Sequence, residues 1–226
     1  MPRAIFMAGA AKQEITPVKG TLIGGDFVSH YARFINDPLY AKSLVLKNGE
    51  KRFTIIMLDL CIVPSDLMEE IKCLITDSIG IAKEDILIAC THTHGAPDVA
   101  GILGGAVDIS FRKKLPSLVL KSVKKANENC RPAKIAPGKT IVSGHHMCRR
   151  YIMDEKYVAY NPVRNNPDTV KTNPFGAHKQ ILKPNSEVDN EIGFIMIKGL
   201  DGNWISTIAN FASHYAGDWS IDTITA

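Results

Sequence analysis

A mixed α/β fold, with β-hairpins and with helices packed on the face of a β-sheet, is what this sequence predicts. Three observations carry that reading. Two apolar, β-branched runs flank Asn48-Gly49, a helical stripe follows them directly and leads into another apolar strand, and a second pair of strand-like runs surrounds Leu200-Asp201-Gly202.

Residues 41–47 and 52–60 form the first hairpin, since both residues of Asn48-Gly49 tolerate positive φ. The run Phe53-Thr54-Ile55-Ile56-Met57-Leu58 is nearly continuous and reads as a central, buried strand. Residues 65–78 are helical, with Leu67, Ile71, Leu74, Ile75 and Ser78 on one face and Gly80 where a left-handed cap would end them. A short strand over 85–90 runs into Thr91-His92-Thr93-His94-Gly95-Ala96-Pro97. A second helix occupies much of 111–129, turning Leu115, Leu118, Val119, Val123 and Ala126 inward; Pro116 either starts or kinks it. Strands follow around 134–142. Residues 161–187 are rich in Pro and Asn, have no period, and read as a long surface loop, and 191–198 with 203–211 close the second hairpin.

The 226 residues can bury a real core and are read as a single domain, 1–226. With 45% apolar and 22% charged residues the composition is that of an ordinary globular protein, and a net charge of +4 is too mild to make nucleic acid an expected partner. No apolar run approaches the length of a membrane span, and the opening residues lack the apolar core of a secretory signal, so a cytoplasmic setting is expected. Five scattered cysteines without a CxxC pair read as reduced thiols, mostly buried.

The sharpest chemical feature is the pair His92 and His94 at a strand end. At i and i+2 both imidazoles face one side if the strand continues, and imidazole is a common metal ligand. The alternative is two polar residues, one hydrogen-bonded and one solvated. Asn210-Phe211-Ala212-Ser213-His214 repeats the pattern of an apolar strand ending in histidine, followed by a loop containing Gly217. Neither metallo-β-lactamase spacing, which wants an acid where Ala96 stands, nor the early HxH of barrel amidohydrolases fits. Asp59, ending the central strand, could orient a ligand histidine or cap the next helix. His145-His146 read as structural or surface residues, because neighbours on a strand point to opposite faces.

Taken together, several segments resemble the neutral/alkaline non-lysosomal ceramidase family. They are the opening Ala8-Gly9-Ala10-Ala11-Lys12-Gln13-Glu14-Ile15-Thr16-Pro17, then Gly24-Gly25, the stretch Asn36-Asp37-Pro38-Leu39-Tyr40, and Leu58-Asp59-Leu60. Thr91-His92-Thr93-His94 is similar to that family's THTHSGP motif, with Gly95-Ala96 in place of Ser-Gly, and the Asn210–His214 run is similar to its NFAxH segment. The resemblance implies that His92 and His214 are zinc ligands and that His94 holds substrate or oxyanion. It implies a substrate-binding arginine at Arg149, with Arg150 in reserve, although Cys148 replaces the family's Asn.

Family enzymes add a Glu and a Tyr ligand well beyond the second histidine, whereas this chain ends at Ala226, on what reads as an interior strand. The expectation is therefore the amino-terminal, zinc-binding part of a catalytic domain, incomplete as it stands. Its activity is expected to be zinc-dependent hydrolysis of an N-acyl amide or a ceramide-like sphingolipid. The alternative is a non-catalytic ligand- or metal-binding module derived from that fold. An exposed sheet edge would favour a homo-oligomer.

Overall fold

The computed structural model describes residues 5–25, 27–214 and 220–226; Gly217, expected in the loop after His214, lies outside them. Its contacts form two compact units. One comprises Met1–Ala136, Ile195–Ile208 and His214–Ala226, and the other Pro137–Phe194 and Ala209–Ser213.

The first unit opens with β1 (Phe6–Glu14) and the short strands β2 (Leu22–Gly24), β3 (His30–Tyr31) and β4 (Phe34–Ile35). The hairpin of β5 (Tyr40–Asn48) and β6 (Lys51–Leu58) forms as the sequence predicts. Asn48 pairs with Lys51, so Gly49 and Glu50 make the turn, one position beyond the expected Asn48-Gly49. Next, α1 (Ser65–Ile79) buries Leu67, Ile71 and Ile75 and ends at Gly80, left-handed and donating its N–H to the Thr76 carbonyl at 2.8 Å. Ser78, in the last turn of the same stripe, is exposed.

After α1, β7 (Ile86–Cys90) pairs parallel with β6, and β8 (Ala96–Pro97) pairs with β2. Helix α2 (Ile109–Glu128) starts ahead of its predicted position because the Asp108 carboxylate caps it, accepting from the Phe111 N–H at 2.9 Å. Pro116 lies inside the helix and is buried, which rules out a start there.

The remaining strands are β9 (Arg131–Ile141), β10 (Arg150–Met153), β11 (Ala159–Asn161), β12 (Asn166–Asp168), β13 (Val170–Thr172), β14 (Ile181–Pro184), β15 (Glu191–Gly199), β16 (Trp204–Phe211) and β17 (Thr223–Ile224). The main sheet has the order β16-β15-β9-β1-β5-β6-β7. In the second unit the stretch read as a featureless loop instead contains the β11-β12 pair and the β13-β10-β14 sheet. Strands of three or four residues are too short to show a period of two in sequence, and of their side chains only Met153 and Ala159 are buried.

Alternation on β5 and β6 builds two cores in the first unit. Ala41, Val45, Ile56 and Leu58 join Leu67, Ile71, Ile75, Leu115, Val119 and Val123 under the helices, while Leu44 and Ile55 meet Ala8, Ala133 and Ile197 on the opposite face. Helix α2 lies against β1, β5 and α1. Arg112 ties the helices together: it donates to Asp66 at the start of α1 at 2.6 Å and to the Val99 carbonyl at 2.6 Å. Among the described residues no helix is long and apolar enough to cross a membrane.

Truncating Ile71→Ala in the helix-covered core should lower unfolding free energy by about 2–5 kcal/mol in urea titrations. The Asp66 carboxyl is held below its usual range by the Leu67 N–H and by Arg112. A carboxylate with a depressed folded pKa stabilises above its unfolded pKa and loses that contribution as pH falls through the folded value. Wild type and Asp66→Asn should therefore differ in stability at pH 7 and converge when titrated below the normal carboxylate range.

Candidate metal centre

The parallel pair β6/β7 brings two loops together at its carboxyl end. The Leu58 carbonyl accepts from the Thr91 N–H at 2.9 Å, and the Leu60 carbonyl accepts from the His92 N–H at 3.0 Å. The strand does not continue through the two histidines, the condition on which their sharing one face depended. It stops at Cys90, and His92 takes a left-handed backbone with φ of 64°. A non-glycine residue in that region costs about 1–3 kcal/mol and persists only when its surroundings hold it. Here the hold includes a side-chain bond: His92 Nδ1 donates to the Cys61 carbonyl at 2.8 Å, which leaves Nε2 as the basic nitrogen.

Around this turn three imidazoles converge. His92 and His94 have ring centroids 5.1 Å apart, His92 and His214 5.0 Å, and His94 and His214 5.2 Å, each pair steeply inclined. All three rings are exposed. Metal–nitrogen bonds of about 2.0–2.1 Å at tetrahedral angles put imidazole centroids about 5 Å apart, so the spacing and the donor type both fit a metal such as zinc. His214 comes three residues after β16, which stands at the other end of the sheet order from β7.

Cys61, which the sequence reading left among the buried thiols, belongs to this neighbourhood. Metal-ligating atoms of Cys61, His92 and His94 lie within 4.8 Å of one another, and Cys61 Sγ is 3.7 Å from His92 Nδ1. Burial, and then the Asp98 charge, push its thiol up. The one signal available in sequence was its place just past the strand preceding α1. Gly25, with φ of 99°, lies against this cluster; a Cβ there would stand 3.1 Å from His94 Cγ and 3.2 Å from Cys61 Sγ. Buried Asp98 accepts from the Ala100 and Gly101 N–H groups through Oδ1, while its Oδ2 has no partner among the described residues. Cys90 packs on the main core, and burial pushes its thiol up to about 12.

Asp59 fills neither role that the sequence left open. Fully buried, it accepts from the Tyr40 N–H at 2.9 Å and from Lys42 Nζ at 2.7 Å, clamping the end of β6 to the start of β5. Arg149 and Arg150 belong to the second unit and are exposed; the Arg149 carbonyl accepts from the Asn173 N–H at 3.0 Å. In that unit His146 bonds the Asp189 carbonyl at 2.9 Å and meets Phe211 edge-on, while His145 is exposed.

No family model matches the sequence, and no curated protein does. Solved structures do. A neutral ceramidase from Pseudomonas aeruginosa and a ceramidase complexed with C2 each align with a TM-score of 0.65 at 14% identity, over 91% of this chain and 31% of theirs. The chain thus has the fold of part of a neutral ceramidase and spans about a third of those structures.

Replacing Asp59→Ala strands the Tyr40 N–H and the Lys42 ammonium. It should cost about 1–3 kcal/mol in urea unfolding, whatever the metal content of the sample.

Proposed function

We propose that this chain carries part of the metal centre of an amide hydrolase of the neutral ceramidase type, with His92 and His214 as ligands. The observation that supports it is the 5.0 Å separation of the His92 and His214 rings, with His94 at 5.1 and 5.2 Å from them. Imidazole donors suit zinc, as they do nickel, copper and iron, and zinc once bound would supply Lewis-acid polarisation of an amide carbonyl and activation of water. The Cys61 carbonyl holds the His92 ring in the tautomer that leaves Nε2 available. His94 faces the same point from the third corner and hydrogen-bonds the substrate oxygen on which charge develops. Arg149, with Arg150 beside it as the alternative, is assigned to a polar group of the substrate on the strength of the sequence resemblance. The substrate is an N-acyl amide, with ceramide one member of that class.

A second arrangement, in which a Cys61 thiolate ligates with His92 and His94, is favoured by the 4.8 Å spacing of their ligating atoms. Cobalt(II) substitution separates the two, since only thiolate ligation gives an intense near-ultraviolet charge-transfer band. The imidazole reading expects that band to be absent.

Elemental analysis tests the centre itself. Near-stoichiometric zinc in the wild type should fall in both His92→Ala and His214→Ala and persist in His94→Ala. In a longer polypeptide carrying this segment, His94→Ala should lower kcat for short N-acyl amines or labelled ceramide by about 10²–10³. A wild type that takes up no zinc while folded leaves the non-catalytic module as the reading.

A further inference from the structure

Thr93, the residue between the two histidines, is bonded through its side chain to both the turn and a distant segment. Its side chain is buried, while His92 and His94 on either side are exposed. Thr93 Oγ1 donates to the Thr225 carbonyl at 2.7 Å and accepts from the Gly95 N–H at 3.1 Å. The Thr225 N–H donates in turn to the Gly95 carbonyl at 2.9 Å. These bonds close a ring between the histidine turn and a segment 132 positions away in sequence.

That distant segment is itself fixed. Thr223–Ile224 pairs parallel with β4, Ile224 is fully buried in the main core, and the Asn36 N–H donates to the Ile224 carbonyl at 2.9 Å. Thr225 Oγ1 donates to Asp37 Oδ2 at 2.6 Å, and Asn36 Nδ2 donates to the same oxygen at 2.7 Å. The fit around Gly95 leaves no slack, because a Cβ there would stand 2.6 Å from Thr225 Cγ2 and 2.9 Å from Thr225 N.

We infer that Thr93 is a positioning residue: its hydroxyl, bonded to the Thr225 backbone, pins the turn that presents the His92 ring and thereby sets the affinity of the metal centre. The inference rests on the metal reading above. Its physical basis is the interruption of the strand at His92, whose left-handed backbone removes the regular alternation that would otherwise align the two rings. A buried hydroxyl that both donates and accepts within the turn replaces that alternation. The Thr93 hydroxyl is committed to the Thr225 carbonyl and the Gly95 N–H, and it acts through the backbone it pins.

The test is the zinc dissociation constant, measured by competition with a chromophoric chelator, for wild type, Thr93→Val and Thr93→Ser. Valine keeps the branched shape and removes both hydrogen bonds; serine keeps the hydroxyl. Loss of a group that orients a metal ligand weakens binding by about 10–100-fold, which is the range expected for Thr93→Val. Thr93→Ser should stay within about threefold of wild type by the same argument. The cobalt(II) visible spectrum of Thr93→Val should change as the ring geometry changes. Thr225→Val, which frees the segment from Asp37, should weaken zinc in the same direction and serves if Thr93→Val does not fold. Wild-type affinity in a folded Thr93→Val, or equal losses in the serine and valine variants, overturns the inference and leaves the metal reading intact. A folded wild type that binds no zinc overturns the metal reading and the positioning role with it.

Discussion

Parallel pairing of β6 with β7, from Thr54↔Ile86 to Leu58↔Cys90, is the constraint on which the rest of this site depends. Parallel neighbours end at the same edge, so the loop that starts with Asp59 and the loop that starts with Thr91 emerge side by side. In open α/β sheets that carboxyl edge is where ligands bind. Two further backbone bonds, from Thr91 to Leu58 and from His92 to Leu60, carry the pairing just past the last strand residue. They deliver the His92 ring to the Cys61 carbonyl, and that bond decides which nitrogen faces outward.

The crossover between those strands is α1, which turns one apolar face into the main core. Leu67, Ile71 and Ile75 are fully buried, and the cluster they belong to also takes in Leu115, Val119 and Val123 from α2. Burial on this scale is the dominant favourable term in folding, and it holds the sheet edge rigid enough to support a strained residue. The polar supports are local by comparison. Asp59 clamps β5 to β6 from inside the core, and the segment around Ile224 seals the underside of the histidine turn. Exposed imidazoles therefore stand on a floor that is almost wholly buried.

The likeness to the ceramidase structures is one of fold, at 14% identity, and it covers 31% of their length. It places most of the chain in a known architecture. The chemistry comes from the residues themselves: three imidazoles at one edge, a carbonyl that fixes one tautomer, and a buried threonine between two of the rings. The second unit has its own small sheets and carries Arg149 and Arg150.

Much of the fold was legible in the chain because its signals are local. A turn between apolar strands, a 3.6-residue stripe ended by Gly80 and the second hairpin all survive without knowledge of their neighbours. The start of α2 was missed by two residues because an Asp cap before the apolar pattern was not weighed, and the short strands between Ala159 and Pro184 left no period to read. For the site, sequence singled out His92, His94 and His214 by residue type and by position at strand ends. It could not supply their convergence, since His214 comes from the far end of the sheet order, nor the left-handed turn at His92 that undoes simple alternation. Asp59 went to a clamp, and Cys61 and Thr93 entered the site, through hydrogen bonds to residues remote in the chain. The sequence determined which elements form and which side chains are chemically able; only tertiary structure decided which of them meet, because such contacts are set by strand pairing across the chain and by no local preference.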